Sequence, residues 1–83
     1  MEQSGIIKRI SPVQNVTDRL RKRELIIDIP GNYPQTVVFE AVNDKCDLLN
    51  SLQLNQSVTV HFNLNGREHN GRVYNTLSIW KVA

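Results

Sequence analysis

The chain has 83 residues, of which 40% are hydrophobic and 22% charged, and its net charge is +2. This length predicts one domain, residues 1–83, with a small core, and the composition excludes wholesale disorder. No signal-like segment or run of roughly 20 apolar residues is present, and a single cysteine excludes an intrachain disulfide. We therefore expect a cytoplasmic protein.

Three strands are predicted in the first half of the chain: residues 5–12, Leu25–Ile29 and Thr36–Val42. The first is rich in β-branched residues and ends at a proline, and the second is followed by Pro-Gly-Asn-Tyr-Pro, which breaks regular structure. The third strand alternates in polarity, so Phe39 and Ala41 are expected to lie on one side of it.

A short α-helix and two further strands are predicted in the second half. Asp44 offers an N-cap and Asp47 the acid of a capping box, and the helix is expected to end near Leu54. Residues 57–64 alternate between apolar and polar side chains, which is the clearest strand pattern in the chain. Residues 74–82 form the last predicted strand.

The order of these elements predicts the fold. Five short strands cannot make two large sheets, so they are expected to curl into a small barrel, with the helix closing one end. This all-β arrangement, a five-stranded barrel with one short α-helix between strands three and four, matches an OB-fold.

A basic run precedes the second strand. It contains Arg19, Arg21, Lys22 and Arg23 within five residues. In an OB-fold this run lies between strands one and two, in a loop that commonly flanks the binding face. Cationic side chains there bind phosphates and make affinity depend on salt, but short basic runs are also common on solvated surfaces. Both interpretations stay open at this point.

Residues 66–81 combine glycine, cationic and aromatic side chains. Asn70-Gly71 is a strong signal for a two-residue turn, because both residues tolerate a positive φ. The candidate phosphate contacts around this turn are Arg67, Arg72 and Lys81. With the basic run, the two arginines are expected to line one electrostatic track.

Aromatic and histidine side chains are the candidate base contacts, because unpaired bases stack on exposed aromatic rings. Tyr33 and Tyr74 lie at strand or loop ends and are the better stacking candidates. Trp80 is expected opposite the core, where it stacks a base, packs in a subunit interface or packs beneath the helix. A homo-oligomer, most simply a dimer, is therefore also expected. His61 and His69 are either plain surface residues or contacts to phosphate or base.

Catalysis and metal binding have little support in the sequence. Cys46 lies on the apolar stripe of the predicted helix with no neighbouring base, so a packed thiol is favoured over a nucleophile. No phosphate-binding glycine loop, dinucleotide fingerprint or nucleophile elbow is present. His61 and His69 lack a cysteine or acidic pair at ligand spacing. We expect neither an enzyme nor a bound metal or cofactor.

Several motifs along the chain resemble one family. They are Gly5-Ile6-Ile7, Tyr33-Pro34-Gln35, Phe39-Glu40, Asn43-Asp44-Lys45, Val58-Thr59-Val60 with Phe62, Gly66-Arg67-Glu68, Asn70-Gly71-Arg72, Tyr74 and Trp80-Lys81-Val82. Over nearly its whole length the chain is similar to short bacterial proteins catalogued as a domain of unknown function. That family resembles single-stranded-DNA-binding and primosomal OB proteins, which implies an OB-fold and binding of single strands. His69 stands where the family pattern more often has an aromatic residue, which implies weaker stacking there.

The sequence therefore predicts a non-catalytic protein that binds single-stranded nucleic acid, DNA rather than RNA, with little sequence preference. The alternative is an OB-fold module for protein interaction or assembly that has no nucleic-acid ligand, and the weak net charge favours it. Clustering of the arginines on one face of the barrel would argue against this alternative and favour nucleic-acid binding.

Overall fold

The computed structural model describes residues 1–83, which form six strands and one 3₁₀ helix. The strands are β1 (Glu2–Ile10), β2 (Gln14–Thr17), β3 (Leu20–Ile29), β4 (Gln35–Val42), β5 (Ser57–His69) and β6 (Arg72–Val82), and the helix spans Asn43–Leu49. None of the helical structure is long and apolar enough to pass through a membrane.

Five of the strands close into a barrel. The sheet order is β1-β5-β6-β4-β3-β2, and an additional pairing between β1 and β3 closes it. The first strand makes this closure by pairing with β5 over Glu2–Ile6 and with β3 over Ile6–Ile10. The short strand β2 pairs with β3 alone and lies at the edge. The predicted five-stranded barrel with one short helix is confirmed, and β2 is an addition to it.

The core consists of apolar side chains that alternate along the strands. The ten buried residues are Ile7, Leu25, Ile27, Phe39, Ala41, Cys46, Leu49, Val58, Val60 and Ile79. Phe39 meets Phe62 edge to face, with their ring centroids 5.0 Å apart. The strand faces predicted for Phe39 and Ala41 are confirmed. Leu64 shares the inward face of β5 but is 56% exposed, because β5 has passed beyond the barrel at that point.

The segment after β4 differs from the predicted α-helix. It is a 3₁₀ helix that ends at Leu49, and its N-cap residue, Val42, makes no side-chain cap hydrogen bond. The predicted capping box is therefore wrong. The backbone enters the helix through Asn43, which has a φ of 55° and whose side-chain oxygen accepts a hydrogen bond from the Arg21 N–H. Asp47, the predicted capping acid, instead lies 3.7 Å from the Arg21 guanidinium.

The β5–β6 hairpin extends beyond the barrel as a two-stranded arm, which we define as residues 64–77. Ser78 is the one residue of β6 that pairs with β4, opposite Glu40, so the preceding part of β6 is paired with β5 alone. The arm ends at Asn70-Gly71, where both residues have a positive φ, 52° and 79°. The predicted two-residue turn is confirmed.

Candidate nucleic-acid interface

One face of the β5–β6 hairpin brings together predicted site residues from both strands. The register places Arg67 opposite Tyr74 and His69 opposite Arg72. Facing residues of an antiparallel pair share one side of the sheet, and every second residue returns to that side. The opposite side of the hairpin carries Leu64, which continues the core face, so these four side chains point away from the core.

A β-bulge adds Trp80 and Lys81 to the same outward face. Lys81 lies opposite His61 and Ile79 opposite Phe62, which leaves Trp80 as the additional residue of β6. The flanking Ile79 is buried, so the two bulge side chains point outward. The Trp80 ring lies against the His61 ring at a centroid distance of 5.3 Å and stays 44% exposed. The prediction that Trp80 faces away from the core is confirmed.

These residues form a continuous surface that we call the outer strip. Its members are His61, Arg67, His69, Arg72, Tyr74, Trp80 and Lys81. From Arg72 to Trp80 the strip covers about 26 Å of strand. Cationic side chains lie mainly at the arm end, and the tryptophan lies at the barrel end.

The cations of the outer strip are free of carboxylate partners. The four salt bridges of the structure do not include Arg67, Arg72 or Lys81. The acidic group that reaches the strip is Glu2, whose Oε2 lies 3.4 Å from Nδ1 of His61. Cationic side chains without internal partners are available to bind an anionic ligand.

Four uncharged polar residues lie between the tryptophan and the arginines, and none of them was among the predicted site residues. They are Asn63, Asn65, Thr76 and Ser78. Asn63 faces Ser78 and Asn65 faces Thr76, on the outward face. The Asn65 amide also donates a 2.6 Å hydrogen bond to Ser78 Oγ. The alternation of side chains along β5 and β6 is the sequence signal that could have placed them on the outward face.

The basic run is not the predicted loop, because Arg21, Lys22 and Arg23 belong to β3, at the opposite end of the strands from the arm. Lys22 pairs with Val42 at the C-terminal end of β4, whereas the arm leaves the barrel towards the N-terminal end of β4. Arg21 contacts Asp47, and the Lys22 ammonium lies 3.5 Å from Glu40. The arginines therefore form two groups rather than one continuous track.

Arg23 is part of the barrel's internal structure. Its Nε donates a 2.8 Å hydrogen bond to the Ser11 carbonyl, and one Nη donates to Asn50 Oδ1 at 2.8 Å. The same nitrogen lies 3.5 Å from the Cys46 carbonyl. These contacts join the end of β1 to the 3₁₀ helix, and they use Nε and Nη1, so Nη2 is the one nitrogen of this guanidinium left for an external ligand.

Arg19 and Tyr33 are exposed at opposite ends of the barrel. Arg19 lies in the β2–β3 turn, where its backbone N–H donates to Thr17 Oγ1. Tyr33 is 85% exposed in the β3–β4 loop, at the same end of the strands as the arm. Along the strand direction, Tyr33 therefore lies closer to the outer strip than the basic run does.

A solved structure with the same architecture is the SSB domain of a Synechococcus sp. protein. It matches with a TM-score of 0.77 at 15% sequence identity, and the match covers 99% of this chain and 90% of that chain. The match, together with the closed barrel, shows that the protein is an OB-fold domain.

Family membership follows from the sequence match. The family model described as a domain of unknown function, DUF3127, matches residues 2–83. The chain belongs to this family. No curated protein matches the chain.

Proposed function

We propose that the protein binds single-stranded nucleic acid, DNA rather than RNA, through the outer strip and without catalysis. The observation that carries the proposal is the convergence of seven cationic, histidine and aromatic side chains on one face of the hairpin, with Arg67, Arg72 and Lys81 free of salt bridges. The likeness to an SSB domain supports the same ligand class.

The strip supplies the two contacts that single strands need. Arg67, Arg72 and Lys81 bind phosphates, and the rings of Trp80 and Tyr74 stack bases. Because every base has a π-face and every nucleotide a phosphate, we expect little sequence preference. A strip of about 26 Å suits about four nucleotides, at the lower end of the range for OB domains.

The charge of the neighbouring face favours the hairpin over the usual OB surface. Many OB domains bind oligonucleotides on strands two and three of the barrel, which are β3 and β4 here. On their outer side Glu24 lies directly opposite Glu40, and the Asp28 carboxylate accepts a hydrogen bond from Thr36. Because Lys22 and Lys8 pair with Glu40 and Asp28, this face has no excess of positive charge for phosphates, whereas the outer strip carries three cations without carboxylate partners.

Fluorescence anisotropy with a labelled oligothymidylate of about 12 nucleotides tests the proposal. The double variant Arg67→Ala with Arg72→Ala removes two unpaired cations of the strip, and we expect roughly tenfold weaker binding or more. The matched control, Lys8→Ala with Arg9→Ala, removes the same charge from β1 and is expected to bind almost as wild type. An equal loss in both double variants contradicts the proposal, because net charge alone would then explain the affinity.

A homo-oligomer, with the dimer as its simplest form, stays a prediction. Its structural support is the edge strand β2, which pairs on one side alone and exposes Val16. Sedimentation velocity on the wild-type protein tests it, and a single species of monomer mass at high concentration contradicts it.

A further inference from the structure

A groove opens where β4 and β6 separate. The two strands run in the same direction and pair through Glu40 and Ser78 alone. On the N-terminal side of that contact, residues 36–39 of β4 and 75–77 of β6 diverge around a groove of about 560 Å³, with Leu64 in its wall. We call it the fork groove.

The strand edges that face the fork groove have no strand partner. Along its other edge β4 pairs with β3 from Gln35 to Val42, and the arm segment of β6 pairs with β5. An open edge presents a row of backbone N–H and C=O groups, which is a template for an added strand. Extended peptides bind many domains in this way.

The groove is lined by apolar side chains that solvent reaches. Val38 is 48% exposed and Leu64 is 56% exposed, and the half-buried Leu77 lies opposite Leu64 in the arm. Apolar surface beside an open strand edge gives an added strand both main-chain hydrogen bonds and sites for alternate side chains.

Acidic side chains border the apolar lining. Glu24 and Glu40 belong to the groove wall; Glu40 is paired with Lys22, whereas Glu24 makes no salt bridge and is the free carboxylate of the groove. Glu68 lies on the same face of the arm as Leu64, nearer the tip. The two faces of the arm therefore differ: the outer strip is cationic and aromatic, whereas the face towards the groove is apolar and acidic. This chemistry disfavours phosphates and favours lysine and arginine.

We propose that the fork groove binds an extended peptide segment of a partner protein in which apolar residues alternate with lysine or arginine. The segment adds as a strand along the open edge of β4. Its apolar side chains contact Leu64 and Leu77 on the core side of the sheet, and its cationic side chains lie on the outer side, beside Val38 and towards Glu24. The protein-binding groove then lies beside the nucleic-acid surface, and Thr76 of the arm borders both.

A pair of synthetic peptides tests this site without knowledge of the natural partner. The probe is a soluble, end-blocked and labelled peptide of about nine residues in which valine alternates with lysine, and the reference replaces each lysine with glutamate. We expect the lysine peptide to bind and to shift the backbone amide resonances of residues 36–39 and 75–77. The glutamate peptide is expected not to bind.

Surface variants give the matched comparison. Glu24→Lys and Leu64→Ser are each expected to weaken binding of the lysine peptide about fivefold, whereas Leu54→Ser, an exposed leucine outside the groove, leaves it unchanged. Equal binding of the two peptides, or amide shifts on the outer strip instead of the groove, overturns the proposal. It is also overturned if an oligonucleotide, or a second copy of the chain in a dilution series, shifts the amides of residues 36–39 on the β4 edge instead.

Discussion

At the scale of single residues, the arginines show why composition alone does not define a site. Arg23 and Arg67 are equally basic in the sequence, but Arg23 donates to the Ser11 carbonyl and to Asn50 within the barrel. Arg67 stands on the arm without a salt bridge. Hydrogen-bond partners from distant parts of the chain separate the two roles, and local sequence does not contain that information.

Replacement of Arg23 tests this separation. Arg23→Met keeps the aliphatic stem but removes hydrogen bonds from a charged group, so we expect the free energy of unfolding to fall by about 1–3 kcal/mol. Affinity for oligonucleotides is expected to stay at the wild-type value. Urea denaturation and anisotropy measure the two quantities, with the exposed Arg19→Met as the control for stability. Weaker binding with unchanged stability would place Arg23 in the interface instead.

Trp80 is the residue whose replacement tests base stacking. Because it is 44% exposed, Trp80→Ala is expected to change stability little but to weaken oligonucleotide binding by about 1–3 kcal/mol. Trp80→Phe keeps a ring and is expected to retain most of the affinity. As the protein has one tryptophan, quenching of its fluorescence reports the contact directly in the wild type. Unchanged affinity in Trp80→Ala, with loss of an oligomer, would assign Trp80 to a subunit interface.

At the scale of elements, the five barrel strands and the position of the helix were predictable, but the type of helix and its cap were not. Alternation identified the core faces of β3, β4 and β5, because burial on one side of a sheet imposes a period of two. The predicted capping box failed because Asn43 and Asp47 interact with Arg21 of a neighbouring strand. The strand β2 carries no buried residue, so no apolar pattern marked it. The predicted strand ended at residue 64 and missed residues 65–69 of β5. These residues are exposed and pair only within the arm, so no buried apolar pattern extends over them.

The closure of the barrel depends on a glycine in β1. A Cβ atom at Gly5 would lie 2.7 Å from the Asp28 carbonyl oxygen and 2.9 Å from Ile27 Cδ1. These atoms belong to β3, which β1 joins at this point, so Gly5→Ala is expected to lower the free energy of unfolding by about 1–3 kcal/mol. In the control Gly66→Ala, the nearest atom is the flexible Asn75 side chain at 3.2 Å. Similar denaturation midpoints for both variants would contradict this explanation of the closure.

At the scale of the whole molecule, the distribution of charge matters more than the net charge of +2. The order and number of strands predicted the barrel. The division of the arm into a cationic face and an apolar, acidic face depends on the β5–β6 register and on the bulge at Trp80. A one-residue change in register moves every side chain to the other face. The structure, and not the sequence, therefore shows this division of the arm and the separation of the basic run from the arm.

The salt dependence of oligonucleotide binding tests the central claim most directly. Each phosphate contact on a single strand contributes a slope of about −0.7 to log K against log salt concentration. Three cations on the outer strip predict a slope of about −2, and participation of all four cations of the basic run as well predicts about −5. We expect about −2 for the wild type and a clearly shallower slope for Arg67→Ala with Arg72→Ala. A slope near zero, or a wild-type slope that the double variant retains, would contradict binding through the outer strip.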